Sequence, residues 1–342
     1  LPVTDTTIYD LASLTKIMAT LPLVMELEEQ GKISLDTKLK QLIPLAQDSN
    51  KADITLKEML SHYARLQAWI PFYTATLSKD GTHASPKYFR SEKTDIFNVP
   101  VSEKFYMRKD IQDSMYQKII DSDLLTRKEY KYSDLPYYLL KKSLEHYYAA
   151  SLHTLTQNHL YESLGANYMG YLPLRKFNIN EIAPSEVDDY WRFNTIQGTV
   201  HDQGAAMFGG IGGHAGIFSN ANDVAKMMQM YLNKGSYGGI QYFKPETIDK
   251  FNTCYYCEDK VRRGVGFDKP QLEKVGPTCG CVSMTSFGHS GFTGTFAWAD
   301  PEEEIVYIFL SNRTFPFASN RKLISHDIRT KIQKLIYESI MY

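Results

Sequence analysis

The chain has 342 residues, of which 43% are hydrophobic, and its formal net charge is −1 at pH 7. This composition is sufficient for a large core in one domain or two lobes. Lysine and arginine are spread along the chain, so no basic patch indicates binding to nucleic acid or to a membrane surface. No stretch of about 18 apolar residues is present, and we expect no transmembrane span.

The first predicted element is a long helix over residues 12–30, which Gly31 ends and Pro22 should kink. At its start, Ser13 and Lys16 are three residues apart and therefore share one face of the helix. Apolar residues surround the pair, and burial would lower the pKa of the lysine and make it a plausible base. The arrangement is typical of an acyl-transfer nucleophile, although the same spacing also occurs by chance on solvated helix edges.

Further helices are predicted at residues 53–61, 134–148, 151–164 and 221–234. Thr55 caps the first of them, and Asn220 or Ser219 caps the last. The segment 70–112 is irregular and rich in aromatic residues, and we expect it to be a long loop or small insertion that covers a cleft.

Near residue 261 the pattern changes to strands at 263–267 and 284–290, a hairpin over 292–310 and a terminal amphipathic helix over 320–340. The predicted fold class is therefore α/β (α+β), with an antiparallel sheet flanked by helices and an all-helical lobe. We expect a single domain over 1–342, with a helical lobe at about 50–220 and a sheet lobe formed by 1–49 and 221–342.

The four cysteines lie close together in the sequence, as Cys254-Tyr-Tyr-Cys257 and Cys279-Gly-Cys281. Two disulfides, one disulfide with two thiols, free thiols or a zinc site are all compatible with this spacing. Disulfides are favoured if the protein is exported. No motif of a catalytic base accompanies these cysteines, so we assign them no catalytic role.

A second polar motif, Tyr132-Ser133-Asp134, lies just before the predicted helix 134–148. A tyrosine at the mouth of a helix and near a lysine can act as a phenolate or shuttle a proton. The alternative is a tyrosine that caps the helix or packs in the core.

A third motif, His289-Ser290-Gly291-Phe292, lies at the start of the predicted terminal hairpin. The glycine permits close approach of another backbone, and a substrate strand could pair along this edge. The backbone N–H of Phe292, together with that of Ser13, would form an oxyanion hole. By itself the histidine could equally be structural.

The order and spacing of Ser13-x-x-Lys16, Tyr132-Ser-Asp and His289-Ser-Gly resemble the serine β-lactamase and penicillin-binding protein family. The resemblance covers nearly the whole chain and is closest to the class C-like branch, with its esterases and D-alanyl-D-alanine peptidases. The chain is similar in particular to serine-hydrolase modules of Bacteroidetes that can be fused behind a family 3 glycoside hydrolase. The resemblance implies a β-lactamase/transpeptidase-like fold, a periplasmic or otherwise exported protein, neither cofactor nor metal, and a fused or associated glycoside hydrolase domain as one candidate partner.

By this resemblance, Ser13 is the acylated nucleophile and Lys16 is its base or proton relay. Tyr132 would deprotonate the serine or the deacylating water and protonate the leaving group. The other implied site residues contact the substrate: the side chains and backbone of Asp134, His289, Ser290 and Gly291, and the oxyanion N–H groups of Ser13 and Phe292.

The sequence departs from the family pattern in three places. Asp134 stands where many relatives have Asn, which removes an amide donor to the substrate. His289 stands where the family has lysine, so binding of a carboxylate would depend on pH. After Ser61-His62, the usual Thr-Ser-Gly is replaced by Tyr63-Ala64-Arg65. These changes argue against an efficient β-lactamase.

The chain begins with Leu1-Pro2 rather than methionine, so we expect it to be part of a longer protein. The family places one or two sheet strands before the nucleophile helix, and we therefore expect an incomplete sheet edge, open to pairing with another chain. His201-Asp202 and the glycine-rich residues 204–216 could form a metal pair or a phosphate cradle, but the phosphate-loop pattern is absent. The resemblance implies a structural turn beneath the cleft instead.

Two functions remain open from the sequence. The first is a serine hydrolase that cleaves an ester or a D-Ala-type peptide through an acyl-enzyme, with peptidoglycan stem peptides as the natural substrate class. The second is a weakly active or inactive module that holds cell-wall peptides or a partner domain in the same groove. The occupied motif positions favour the enzyme, and the short N-terminal segment favours the binding module. The sequence does not choose between ester, D-Ala peptide and β-lactam, or between monomer and dimer.

Overall fold

The structure, a computed structural model, describes residues 2–271 and 276–340. The α-helices of the described residues are α1 (Leu21–Glu29), α2 (Leu39–Leu42), α3 (Leu56–Leu60), α4 (Ile111–Asp121), α5 (Leu135–Tyr148), α6 (Leu152–Thr156), α7 (Gln203–Met207), α8 (Ala221–Leu232), α9 (Pro245–Asn252), α10 (Lys322–Ser325) and α11 (Ile328–Ile340). The strands are β1 (Tyr9–Asp10), β2 (Phe89–Arg90), β3 (Phe97–Ser102), β4 (Phe105–Arg108), β5 (Gly170–Tyr171), β6 (Glu186–Asp188), β7 (Asn194–Ile196), β8 (Ile217–Ser219), β9 (Ser236–Tyr237), β10 (Ile240–Gln241), β11 (Phe287–Ser290), β12 (Phe296–Asp300) and β13 (Ile305–Phe309).

The C-terminal strands form an antiparallel sheet in the order β11-β12-β13, which confirms the predicted hairpin. Helix α8 packs against β12 and β13, while Ile336 of α11 joins the cluster of Phe296, Trp298 and Tyr307. Helices therefore flank an antiparallel sheet, and the predicted fold class is confirmed. Among the described residues no strand pairs with the outer edge of β13.

Three predicted elements differ from the structure. Residues 263–267 are not a strand, because the only pairing there is a bridge between Arg263 and Asp268, and Gly266 has a φ of 94°. The terminal helix is interrupted between α10 and α11, where Asp327 has a φ of 52°. The segment 70–112 is more ordered than a loop, since it contains the three-stranded sheet β2-β4-β3.

The predicted long helix over 12–30 is helical but not uniformly α. A 3₁₀ turn at Ala12–Leu14 is followed by a π-helical turn at Lys16–Thr20 and then by α1. The distortion thus lies in the turn before Pro22. The predicted Thr55 cap of α3 and Asn220 cap of α8 are both confirmed, because each side chain accepts a backbone N–H of the first turn.

The cause of the π turn is visible in its hydrogen bonds. Pro22 has no N–H to donate to the carbonyls four and five residues earlier, which are those of Met18 and Ile17. Two buried tyrosines supply the missing donors: Tyr231 Oη donates to Ile17 O at 2.7 Å and Tyr161 Oη to Met18 O at 2.9 Å. The wide turn therefore depends on side chains far away in the sequence.

Most buried apolar residues belong to one core cluster that runs from Ile8 to Ala299. Disulfides join Cys254 to Cys257 and Cys279 to Cys281, so two disulfides are the alternative that the structure contains. None of the described helices has both the length and the apolarity needed to cross a membrane.

Candidate active site

The serine of the first motif is presented from a buried segment. Between Ile8 and Met25 every residue is buried except Ser13, which is partly exposed. The preceding residue, Ala12, has a φ of 47°, in the left-handed region that L residues rarely adopt. Its N–H donates to Asp10 Oδ1 at 2.8 Å, and this bond stabilises the turn that aims the serine outward.

The three predicted catalytic side chains lie together. Lys16 Nζ is 3.0 Å from Ser13 Oγ, and Tyr132 Oη is also 3.0 Å from Ser13 Oγ. The ammonium lies 5.2 Å from the centroid of the tyrosine ring. A hydroxyl, an amine and a phenol from two distant motifs therefore share one hydrogen-bonded group.

The pKa of Lys16 differs from the prediction that burial would lower it. Its Nζ is fully buried and contacts Asp134 Oδ1 at 2.6 Å, in addition to Ser13 Oγ and the carbonyl of His214 at 3.2 Å. Burial acts to lower the pKa of Lys16, but the charge of Asp134, helped by Tyr132 when that side chain is ionised, outweighs it and raises the pKa above its usual value. The expected lowering is therefore wrong, and an ammonium with three acceptors is not placed to take a proton.

Tyr132 is the better placed group for proton transfer to and from Ser13. Burial raises its pKa, Lys16 opposes that rise, and the charge of Asp134 adds to it. The resting side chain is a phenol at neutral pH. Formation of the phenolate requires positive charge nearby, because burial disfavours the charged form of the tyrosine.

A second buried cation lies beside the same ring. The guanidinium of Arg263 is 5.3 Å from the ring centroid of Tyr132, and the residue is 4% exposed. Asp268 Oδ1, at 3.3 Å, and the hydroxyl of Tyr130, at 3.0 Å, hold it there. The sequence alone does not indicate Arg263 as a site residue, because residues 263–267 have the pattern of a strand. The available signal was the charge of Arg263 at the start of an otherwise apolar, glycine-containing run.

The segment that carries Tyr132 is fixed by the loop after α3. The N–H of Ser133 donates to His62 Nδ1 at 3.2 Å, and the N–H of Asp134 donates to the carbonyl of Ala68 at 2.9 Å. The rings of His62 and Tyr132 have centroids 4.5 Å apart. Burial lowers the pKa of His62 well below its usual value, so this histidine acts as a neutral support.

The third motif lies against the turn that carries Ser13. A Cβ added to Gly291 would be 2.5 Å from the carbonyl of Leu11 and 2.1 Å from Thr295 Oγ1, so only glycine allows this approach. The backbone N–H groups of Ser13 and Phe292 donate to no protein acceptor in the described part of the chain. Both donors are available to a substrate oxygen.

His289 does not provide the charge that the family lysine would. The side chain is buried, and its Nδ1 contacts the carbonyl of Ser290 at 2.8 Å. Burial, with help from Arg263 and Lys16, lowers the pKa of His289 well below its usual value. The expected titration near neutral pH is therefore wrong, because the imidazole is already neutral there.

A cavity of about 390 Å³ opens beside the nucleophile. Its lining includes Ser13, Tyr132, Asp134 and Phe292 but not the side of the site formed by 289–291. Aromatic side chains form much of the remaining wall: Trp69, Phe72, Tyr73, Tyr138 and Tyr190. The cavity therefore combines an aromatic wall with several polar side chains and opens at the nucleophile.

His201 and Asp202 also line this cavity. His201 Nε2 lies 2.9 Å from Glu186 Oε2, and Asp202 Oδ1 lies 2.7 Å from His214 Nε2. In residues 2–271 and 276–340, no group of three or more His, Cys, Asp or Glu side chains is arranged to hold a metal. The glycine-rich loop packs tightly instead, since a Cβ at Gly213 would be 2.1 Å from a backbone carbonyl of α5.

The model of the Beta-lactamase family matches residues 1–328. A protein of Escherichia coli (strain K12) named putative D-alanyl-D-alanine carboxypeptidase is 30% identical over 91% of this chain and 70% of its own length. A Bacillus subtilis (strain 168) protein named N-acetylmuramyl-L-alanine amidase is 31% identical over 90% of this chain and 68% of its own length.

Solved structures show the same fold. EstCE1, a hydrolase with promiscuous acyltransferase activity, has a TM-score of 0.67 and 18% identity, over 98% of this chain and 86% of that one. A penicillin-binding protein homologue from Caulobacter crescentus has a TM-score of 0.62 and 18% identity, over 91% and 79% of the two chains. With the family match over nearly all of its length, the chain belongs to the Beta-lactamase family of serine hydrolases.

Proposed function

We propose that this chain hydrolyses an ester or a D-Ala-type peptide bond through an acyl-enzyme on Ser13. The observation that carries the proposal is the position of Ser13 Oγ, 3.0 Å from both Lys16 Nζ and Tyr132 Oη at the wall of the cavity. A nucleophile, a proton carrier and a fixed cation are the groups that acyl transfer requires.

In the proposed mechanism, the reactive form carries Tyr132 as a phenolate beside the Lys16 ammonium. Ser13 gives its proton to the phenolate as Oγ attacks the carbonyl carbon, and the N–H groups of Ser13 and Phe292 bind the oxyanion. Tyr132 then gives the proton to the leaving group as the scissile bond breaks. Water repeats the sequence on the acyl-enzyme and releases the acid.

We further propose peptidoglycan-derived peptides as the substrate class and an exported protein. The names of the Escherichia coli and Bacillus subtilis relatives support the substrate class. The two disulfides support an oxidising compartment, because such bonds are rare in the cytosol. A glycoside hydrolase partner and the two-lobed single domain remain predictions.

The test is detection of the covalent intermediate. Wild-type protein is incubated with a fluorescent penicillin, a p-nitrophenyl ester, nitrocefin or a D-Ala-D-Ala peptide, and intact mass and product release are measured. We expect an acyl adduct that Ser13→Ala abolishes, with hydrolysis reduced by about 10³-fold or more. The exposed Ser114→Ala is the matched control and should label like the wild type. An adduct that survives Ser13→Ala would contradict the proposal.

A binding module is the second candidate, and one observation favours it. The Asp134–Lys16 contact and the raised pKa of Tyr132 both stabilise a resting state without a free base. If the chain is a binding module, no acyl donor labels the wild-type protein. The wild type and Ser13→Ala then bind a cell-wall peptide equally in a calorimetric titration.

A further inference from the structure

We propose that the cavity beside Ser13 binds a primary ammonium group of the substrate, and that Asp202 is the carboxylate that recognises it. The inference rests on the proposed function, since the ligand is the substrate that Ser13 attacks. It adds the chemical class of that substrate: an acyl ester or peptide with an amine a few bonds from the scissile carbonyl.

The first argument is the charge of the cavity. Its lining holds the carboxylates of Asp134, Glu186 and Asp202 but no lysine or arginine. Two of these carboxylates are engaged by the protein. Asp134 contacts Lys16 at 2.6 Å, and Glu186 contacts His201 at 2.9 Å and accepts from Tyr190 at 3.2 Å.

The third carboxylate has an unused oxygen. Asp202 Oδ1 accepts from the N–H of Ala205 and contacts His214 Nε2, both at 2.7 Å, whereas Oδ2 forms no hydrogen bond with the described residues. The side chain is 33% exposed, which leaves Oδ2 available to a ligand. Burial acts to raise the pKa of Asp202, but His214 and the Ala205 N–H hold it well below its usual value. The group is therefore an anion at neutral pH.

A second, independent observation points to a ligand at the same place. Tyr138 lines the cavity and is 5% exposed, yet its hydroxyl forms no hydrogen bond within residues 2–271 and 276–340. A Cβ added to Gly204 would be 1.7 Å from this hydroxyl and 3.3 Å from Asp202 Oδ1, so the hydroxyl lies close to the Asp202 carboxylate above the Gly204 backbone. An ammonium bound by the free Oδ2 of this carboxylate can also donate to the hydroxyl and face the aromatic wall, which is a favourable environment for a cation.

The experiment compares matched ester pairs that differ in one group. One pair carries a terminal –CH2NH3⁺ or –CH2CH3 on the acyl part, and the other carries the same groups on the alcohol part. We expect wild-type protein to prefer the ammonium member of at least one pair by about tenfold in kcat/KM, the size of one charge-assisted hydrogen bond. The preference should shrink as ionic strength rises.

Asp202→Asn removes the charge but keeps an N-cap acceptor for α7, so we expect the variant to fold. The ratio of kcat/KM for the ammonium ester to that for the alkyl ester should then fall to about 1–2. Glu186→Gln is the matched control, because both oxygens of Glu186 already have protein donors. It should keep the preference. A ratio of two substrates does not depend on the fraction of folded protein.

The outcomes are distinguishable from failure of the proposed function. If neither the esters nor the D-Ala-D-Ala peptide is hydrolysed in a Ser13-dependent manner, the proposed function fails and the inference fails with it. If esters are hydrolysed without preference for the ammonium in either pair, only the inference is overturned. Equal loss of preference in Asp202→Asn and Glu186→Gln would show a general field effect and would also overturn the assignment to Asp202.

Discussion

The carboxylate of Asp134 favours the protonated forms of both Lys16 and Tyr132. It raises the pKa of Lys16 and adds to the raised pKa of Tyr132. We predict that Asp134→Asn lowers both. Tyr132 acts as a base only when it is deprotonated, so kcat/KM rises as the pH passes through the pKa of Tyr132. A lower pKa of Tyr132 therefore moves the acid limb of the pH profile to lower pH, by about one unit.

The measurement is kcat/KM for a p-nitrophenyl ester against pH, with higher activity near neutrality expected for the variant. Asp113→Asn, whose side chain is exposed, is the control and should leave the profile in place. If the acid limb in Asp134→Asn lies at the same pH as in the wild type, or at higher pH, Asp134 does not set the charge of the site.

Arg263 supplies positive charge that His289 does not. With its guanidinium 5.3 Å from the Tyr132 ring, it lowers the cost of the phenolate. We predict that Arg263→Gln reduces kcat/KM by about tenfold and moves the acid limb to higher pH, while Arg263→Lys restores much of both. If Arg263 has a purely structural role, Arg263→Gln lowers the yield of folded protein but leaves the pH profile of the folded fraction unchanged. That result would count against the electrostatic role.

At the scale of elements, the π turn before α1 is stabilised by contacts outside the helix. Tyr161→Phe removes the hydroxyl donor to the buried carbonyl of Met18, and we predict a loss of about 1–3 kcal/mol in the free energy of unfolding in urea. Pro22→Ala restores a backbone N–H that can serve this carbonyl. The double variant should therefore be less destabilised than the sum of the single variants, and simple additivity would contradict this explanation.

The terminal hairpin and the capped helices could be predicted from local sequence because alternation, turn residues and capping residues act over a few positions. Residues 263–267 could not, because their apolar side chains are buried by distant elements and not by a sheet. Gly266 lies against Leu21, where an added Cβ would be 2.6 Å from a methyl carbon. A short apolar run with glycine has the same pattern in a strand and in a buried loop.

For the whole molecule, one core cluster joins residues from the N-terminal turn to β12. We predict a single cooperative unfolding transition in urea, as expected for one domain. Two single-tryptophan variants test it: Trp69→Phe with Trp298→Phe keeps Trp191, and Trp69→Phe with Trp191→Phe keeps the sheet residue Trp298. In each variant the fluorescence and far-UV circular dichroism midpoints should coincide. Separate midpoints would indicate two independently stable lobes.

The candidate site shows which properties follow from local sequence. Ser13, Lys16 and Tyr132 could be named as candidates before the structure, because their motifs and the order of these motifs resemble those of the serine β-lactamase family. The family and fold followed from the order of the same motifs. These properties depend on residue identity and on neighbours along the chain.

The protonation of the site depends on contacts that only folding creates. Asp134 stands 118 positions after Lys16 in the chain, yet their side chains are 2.6 Å apart, and this contact keeps the lysine charged. Arg263 and His289 acquire their roles in the same way, through burial and through charges brought from distant segments. A pKa is a property of the surroundings in space, so the sequence motifs indicated the candidate reacting groups but could not assign their charges.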